Sequence, residues 1–177
     1  MGEEWQLDVE VMPLARAEEA LQEALRLAAL EDAPDAFGEP LEQIRSRPEG
    51  YWDRLRASVT GRAGQIAMLA RANARPVGFI YGVRSKDSGE LRVGGVWVEP
   101  NYRQRGVARQ LVQGLVDWAE SKGFPGIGLW APQHRPEVVT LYRSAGFETT
   151  GVTRPMPDQP ERTLLEMRKP AADADPS

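Results

Sequence analysis

The sequence contains no cysteine and only one histidine among its 177 residues. Without cysteine the chain cannot form a disulfide, a thiolate metal site or a cysteine nucleophile. A single histidine cannot by itself supply the several histidine or cysteine ligands of a metal site. We therefore expect no metal in the functional site, and the absence of disulfides fits the reducing cytoplasm, where we expect the protein to reside.

Basic charge and long apolar runs are also scarce. The formal net charge is -4 and the pI is near 5.2, so the chain has no general attraction for phosphate backbones and we expect no nucleic-acid partner. The segment Met1 to Trp5 lacks the basic start and apolar run of a secretory signal, and no uninterrupted apolar stretch approaches bilayer length. We expect a protein that is neither exported nor bound to a membrane.

The apolar sequence that is present suffices for one core. With 41% hydrophobic residues, a chain of this length can bury one substantial core and is too short to suggest two. We predict a single domain over residues 1–170 and a disordered tail over residues 171–177.

Apolar periodicity predicts an alternation of helices and strands. A strand is predicted around Trp5 to Val11, a helix on the stripe from Leu14 to Ala28, and a less regular helical region divided near Pro48. The other predicted elements are a hairpin of strands 65–70 and 77–83, a strand at 91–98, a helix at 107–119, a strand at 127–130, a helix at 136–145 and a closing strand pair at 147–152 and 163–167. This pattern indicates an α/β fold with helices on a mixed, mainly antiparallel sheet.

Two glycine features lie close together in the middle of the chain. Gly94 and Gly95 interrupt the strand at 91–98, which suggests a bulge or a place where a ligand or another backbone comes close. After this strand, the turn that contains Gly106 leads directly into a helix. A helix N-terminus exposes unpaired N–H groups, so the turn is a candidate anion cradle. Most such turns bind nothing, and turn chemistry alone leaves both interpretations open.

Two motifs carry a family resemblance. Arg103-x-x-Gly106-x-Ala108, which follows Val96-Trp97-Val98-Glu99-Pro100, resembles the acyl-CoA pyrophosphate signature of the GNAT superfamily of N-acyltransferases. Leu141-Tyr142-Arg143-Ser144-Ala145-Gly146-Phe147 is similar to the second motif of that superfamily, Leu-Tyr-x-x-x-Gly-Phe, and the order and separation of the motifs match. The resemblance implies an α/β (α+β) GNAT fold with about six to seven strands, about four helices and a bulged central strand.

The resemblance also implies acetyl-CoA as the cofactor and a set of residues that bind it. Backbone groups of Val96, Trp97 and Val98 would hydrogen-bond the pantetheine arm as an added strand would. The pyrophosphate would be held by the turn and the helix start, which comprise Arg103, Gln104, Arg105, Gly106, Val107 and Ala108. The implied catalytic residue is Tyr142, as a donor to the departing sulfur. The sequence pattern alone fits equally a tyrosine whose ring is packed and whose hydroxyl is solvated.

The sequence departs from the family pattern at two positions. Several members carry a glutamate base four residues before the position of Val96, where this chain has Arg92. The asparagine that is common seven residues before the tyrosine is replaced by Arg135. That glutamate base and the contact of the asparagine to the cofactor arm therefore cannot be carried over to this chain.

Three other side chains are candidates for the general base. Glu90 and Glu99 flank the bulged strand, but such carboxylates are more often solvated edge residues. His134 lies before the second motif, and loop histidines are more often simply exposed. We therefore expect the amine to lose its proton through ordered water.

The acceptor is the least defined part of the prediction. The acidic stretch 31–42 could attract a cationic amine or be a solvated loop, and Phe37, Tyr51 and Trp52 could form an apolar wall or belong to the core. The proline-rich loop 154–160 could overhang the acceptor mouth or be a plain hairpin loop. The leading hypothesis is transfer from acetyl-CoA to a primary amine of a small molecule by direct attack. The alternatives are a protein or peptide N-acetyltransferase and a catalytically silent CoA-binding module, and dimers are frequent in the family, which makes a homodimer one expectation.

Overall fold

The computed structural model describes residues 8–15, 18–34, 41–48, 50, 64–157 and 159–172. Its strands are β1 (Val9–Pro13), β2 (Gln65–Ala72), β3 (Arg75–Arg84), β4 (Leu91–Val98), β5 (Gly126–Pro132), β6 (Glu148–Pro155) and β7 (Thr163–Pro170). They form one sheet in the order β1-β2-β3-β4-β5-β7-β6. Only β4 and β5 pair in parallel among these strands, so the predicted mixed, mainly antiparallel sheet is confirmed.

Helices pack on both faces of this sheet. The α-helices with described bounds are α1 (Glu19–Asp32), α2 (Leu41–Arg45), α3 (Val107–Ser121) and α4 (Pro136–Ser144), and a short 3-10 helix covers Pro100–Tyr102 between β4 and α3. The apolar stripe of α3 packs against one face together with Val139 and Tyr142 of α4. Ala29 of α1 packs against the opposite face with Phe79 and Trp97. The alternation of side chains along β2 and β3 supplies both cores, as the period of two requires.

The N-terminal elements differ from the predicted boundaries. The first helix begins at Glu19 rather than near Leu14 and continues to Asp32. Leu14 lies instead in the segment after β1, where its N–H donates to the Ala67 carbonyl at 2.8 Å and its side chain is buried. The helical spacing of Leu14 was therefore misleading, because burial in a connecting segment gives the same apolar signal. The first strand starts at Val9, and Trp5 lies outside the described residues.

Several predictions concern residues that the structure does not describe. Phe37, Tyr51, Trp52 and residues 35–40 of the acidic stretch lie outside the described residues, as does most of the predicted tail. Within the described part of the second helical region, α2 ends at Arg45 and a turn follows before Pro48.

Candidate active site

Strands β4 and β5 separate soon after they begin to pair. Only Leu91 with Ile127 and Arg92 with Gly128 are in register, and beyond them neither strand has the other as a partner. The gap is a cleft of about 450 Å³. One edge of β4 from Val93 to Val98 is thus left with backbone groups that no neighbouring strand satisfies, and an extended ligand can pair with them.

A β-bulge directs β4 away from its parallel neighbour. Tyr81 of β3 is opposite Gly95, and Gly82 is opposite Val93, so Gly94 is the extra residue. A Cβ atom at Gly94 would lie 2.0 Å from the Tyr81 ring. The aromatic ring therefore occupies the space that a side chain would need, which explains the glycine and confirms the predicted bulge.

The turn before α3 presents backbone donors to the cleft. Gly106 is the N-cap residue with φ +79°, and Gln104 is also left-handed with φ +58°. The first bond of this helix runs from the Gln110 N–H to the Gly106 carbonyl at 3.0 Å, and no side chain caps the helix. The N–H groups of the first turn therefore have no partner within the helix and favour an anion. A Cβ atom at Gly106 would meet nothing within 4 Å, so the approach is open.

The predicted cofactor residues gather in this one cleft with a single exception. The cleft is lined by Val96, Trp97, Val98, Arg103, Gln104, Gly106, Val107 and Ala108. Arg105 is exposed and is not among the lining residues. Ala33 at the end of α1 and Arg135 before α4 also line the cleft.

Arg103 is held by protein groups on both sides of its guanidinium. Its Nε donates to the Val98 carbonyl at 2.9 Å, and its other end is paired with Asp32. The indole N–H of Trp97 donates to the same Asp32 carboxylate at 3.0 Å. Burial alone would raise the pKa of Asp32, but the hydrogen bonds from Trp97 and Arg103, with the charges of Arg103 and Arg135, hold that pKa below its usual value. Asp32 thus joins the end of α1 to the strand and the turn that line the cleft.

Tyr142 lies in the wall of the cleft near Leu141 and Val138. Its ring is 4% exposed and meets Phe147 edge-on at 5.6 Å between centroids. Burial, with a smaller contribution from Tyr81, raises the pKa of Tyr142 well above its usual value. No hydrogen bond joins its hydroxyl to any of the described residues. The phenol therefore stays protonated at neutral pH and can act as a donor to a group in the cleft.

The second sequence motif has a direct structural reason. Gly146 adopts φ +90° just after α4, and the Phe147 N–H then donates to the Tyr142 carbonyl at 3.1 Å. This reversal brings the Phe147 ring under Tyr142. The glycine ends the helix in a left-handed backbone conformation that other residues rarely adopt, and the phenylalanine ring packs against the tyrosine ring.

The candidate bases are engaged elsewhere. Glu90 is 3% exposed and pairs with Arg168, so its interpretation as a solvated edge carboxylate is wrong. The burial is possible because a Cβ atom at Gly126 would lie only 2.9 Å from Glu90 Oε1. Glu99 forms an ion pair with Arg75 at 2.8 Å. Neither carboxylate lines the cleft.

His134 is exposed, as expected for a loop histidine. Its Nε2 lies 3.1 Å from Arg162 Nη1, and the guanidinium can only donate, so Nε2 is the acceptor. Arg135 donates from Nε to Glu137 at 2.9 Å. Of these four side chains, Arg135 and Glu137 line the cleft, and His134 and Arg162 do not.

The structure places beside the cleft a carboxylate that the sequence analysis did not identify. Glu166 of β7 is opposite Trp130 of β5, which lines the cleft. Arg92 extends across Gly128, where a Cβ atom would lie 2.5 Å from its Nη1, and donates to Glu166 at 3.2 Å. The only sequence signal for Glu166 is its place in a predicted strand, because its partner is 74 positions away.

The sequence of this chain is similar to those of known acetyltransferases. A family model described as Acetyltransferase (GNAT) family matches residues 19–147. A protein of Methanocaldococcus jannaschii described as an uncharacterized N-acetyltransferase is 24% identical over 93 residues, which are 49% of this chain and 40% of that protein. The match therefore spans less than half of that relative.

Solved structures of acetyltransferases share the fold. A GNAT-family acetyltransferase from Streptococcus pneumoniae has a TM-score of 0.76 at 17% identity, covering 93% of this chain and 100% of the other. A spermidine N-acetyltransferase from Vibrio cholerae, in complex with CoA and spermine, has a TM-score of 0.72 at 13% identity, covering 93% and 96%. The ribosomal-protein-S18-alanine N-acetyltransferase from Escherichia coli has a TM-score of 0.64 at 19% identity, covering 96% and 98%.

None of the helices in the described part of this chain has the length and apolar character that a membrane span requires.

Proposed function

Because this chain belongs to the GNAT acetyltransferase family, whose model matches residues 19–147, we propose that it transfers an acetyl group to a primary amine of a small molecule by direct attack. Acetyl-CoA is the cofactor of this family of acyltransferases. When bound, acetyl-CoA supplies the thioester carbonyl that the amine attacks. The observation that carries the proposal is that an uncapped helix N-terminus, an unpaired strand edge and a protonated tyrosine line the same cleft.

The residues present fit this cofactor. The first turn of α3 contains no acidic side chain, and the space above Gly106 is open, so a pyrophosphate would meet backbone donors without steric or electrostatic opposition. The free edge of β4 would pair with the amides of the pantetheine arm. Val96 and Val98 keep their side chains in the core, so only their backbone groups would face the arm, and of these the Val98 carbonyl already accepts from Arg103.

We assign Tyr142 the role of donor to the departing sulfur. Its raised pKa keeps the proton on the phenol, and its place in the cleft wall lets the hydroxyl reach a bound ligand. For the base, Glu90 and Glu99 are held in ion pairs and neither lines the cleft, which supports proton loss to ordered water.

The direct test is release of CoA from acetyl-CoA in the presence of polyamines, amino acids, aminoglycosides and peptides. We expect turnover with at least one small primary amine. Acetylation of peptides only would support the protein N-acetyltransferase instead. Tight binding of acetyl-CoA with no acceptor turned over would identify a silent CoA-binding module, an alternative that Arg92 and Arg135 keep open.

A further inference from the structure

The sheet face opposite α4 borders the cleft and carries a strip of charged side chains. Ile127, Leu129 and Ala131 of β5 belong to the core under α3 and α4, so by alternation Gly128 and Trp130 point to the other face. In β7, Glu166 is opposite Trp130 and Arg168 is opposite Gly128. We call the surface formed by Gly128, Trp130, Glu166 and Arg168 the acceptor face, because it borders the cleft on the side of the sheet away from α4.

Most charges on the acceptor face neutralise each other. Arg168 pairs with the buried Glu90. Arg92 donates to Glu166 at 3.2 Å, and the Thr150 hydroxyl donates to the other oxygen of Glu166 at 2.9 Å. Each carboxylate in this network therefore has a cationic partner, and the network as a whole attracts neither sign of ligand strongly.

Arg154 is a further cation beside this network, and it pairs with neither carboxylate of the network. It lies in β6, the exposed edge strand, and its guanidinium carbon is 4.2 Å from the centroid of the Trp130 ring. It forms no ion pair or hydrogen bond with any of the described residues. Trp130 itself lines the cleft. A guanidinium without an ionic partner among the described residues is thus held against a residue of the cleft wall.

Stacking prepares this guanidinium for a planar anion. The indole ring lies against the guanidinium carbon and restricts the side chain, while the N–H donors of Arg154 have no partner among the described residues. A carboxylate binds the edge of a guanidinium through two parallel hydrogen bonds. Contact with Trp130 already restricts the arginine side chain. An anion that binds Arg154 therefore causes a smaller loss of conformational entropy.

We propose that Arg154, stacked on Trp130, binds a carboxylate carried by the amine acceptor and so selects amino acids or short peptides with a free carboxyl group. The proposal rests on the acetyltransferase function proposed above. The phosphates of the cofactor are the other source of an anion, but their donors lie at the start of α3, and Arg154 belongs to the opposite face. The acceptor is therefore the source that the geometry favours.

The test uses pairs of amines that differ only in the carboxyl group. Lysine is compared with cadaverine, β-alanine with ethylamine, and glycylglycine with its C-terminal amide, in wild-type protein and in Arg154→Gln. Acetyl-CoA turnover is measured by CoA release, and binding of each amine to the CoA-loaded protein is measured by calorimetry. The control is Arg143→Gln, since Arg143 is an exposed arginine of α4 that does not line the cleft.

We expect the wild type to prefer the carboxylated member of at least one pair, and Arg154→Gln to lower kcat/KM for that member roughly 10- to 100-fold while sparing its partner. Arg154→Lys should restore only part of the preference, because lysine cannot bind a carboxylate through a planar fork. Arg143→Gln should change nothing.

Four results would overturn the proposal. The first two are equal use of both members of every pair by the wild type and an equal loss on both members in Arg154→Gln. The others are a raised KM for acetyl-CoA alone in that variant and failure of every carboxylated amine to bind the wild type. Carboxylate-dependent binding that Arg154→Gln removes, without turnover of any amine, would keep the carboxylate site and reject the acetyltransferase function.

Discussion

The two sides of the cleft use different kinds of polar group. On the side of α3, the donors are backbone N–H groups of a helix start and the edge of β4, and glycine keeps the approach open. On the acceptor face, side chains from four strands bridge one another, as in the contacts of Arg92 with Glu166 and of Arg154 with Trp130. A backbone site needs special residues at fixed spacing, whereas a side-chain network needs only partners that the fold brings together.

Replacement of Gly106 is the strongest way to test this contrast. A valine there must adopt φ near +79°, which displaces the turn, and its side chain would fill the open approach. We expect Gly106→Val to weaken acetyl-CoA binding at least about 100-fold in a calorimetric titration, a loss of roughly 3 kcal/mol.

Gly123→Val is the matched control for Gly106→Val. Gly123 follows the other end of α3, also has a positive φ of +69°, and has nothing within 4 Å of an added Cβ. Both variants should lose a similar amount of stability, about 1–3 kcal/mol, from the strained backbone. Equal binding in the two variants would contradict the assignment of the cradle to the start of α3.

Tyr142→Phe tests whether one side chain on the helix side matters as much as the backbone. We expect kcat to fall about 100-fold with little change in the affinity for acetyl-CoA, because only proton donation is lost. Since the pKa of Tyr142 is raised, the phenol remains protonated as the pH rises, and wild-type activity should show no alkaline loss due to this group below about pH 10.

The matched control is Tyr102→Phe, because Tyr102 also lines the cleft. It should leave kcat unchanged. Steady-state rates that are the same for wild type and Tyr142→Phe would remove Tyr142 from its role and leave it as a packing residue.

Asp32→Asn should have the smallest of these effects, a small loss of stability. It tests the contacts of Asp32 with Trp97 and Arg103, which join α1 to the strand and the turn that line the cleft. The variant keeps an oxygen acceptor for Trp97 but loses the charge opposite Arg103. The guanidinium is partly solvent-exposed, so screening limits the loss to about 0.5–1 kcal/mol of unfolding free energy at pH 7. Glu31→Gln, which breaks the exposed pair with Arg45, should cost less.

The pH dependence of stability distinguishes the ion pair of Asp32 with Arg103 from a packing effect. Because the pKa of Asp32 is lower in the folded protein, its contribution is present above the unfolded value near 3.8 and is lost as the pH falls through the folded value. Denaturation curves of wild type and Asp32→Asn should therefore differ at pH 7 and converge at low pH. A constant difference over that range would contradict the ionic contribution.

Sequence reasoning succeeded where the signal is local. The adjacent glycines at 94 and 95 predicted the bulge because a strand rarely contains them without a geometric reason. The tyrosine and glycine of the second motif are four positions apart, and one helix end explains both. The fold class followed from the same kind of local periodicity.

The failures involve partners that are distant in sequence. Glu90 was interpreted as solvated because nothing near it indicates Arg168 or the space left by Gly126. Asp32 lies 71 positions from Arg103, and its charge looked like part of an acidic loop. Only the folded sheet shows which charges have ionic partners, so the lack of such a partner for Arg154 among the described residues could not be recognised in the sequence.

The short pairing of β4 with β5 also has a mechanical consequence. Two residue pairs are the whole ladder between the β1–β4 half of the sheet and the half formed by β5, β7 and β6. Helix α3, which packs on strands of both halves, is the main other connection along that face. The two halves of the sheet are therefore joined by a short ladder and by the packing of α3. A ligand that pairs with the free edge of β4 would occupy the place of a strand between them and would add contacts between the two halves.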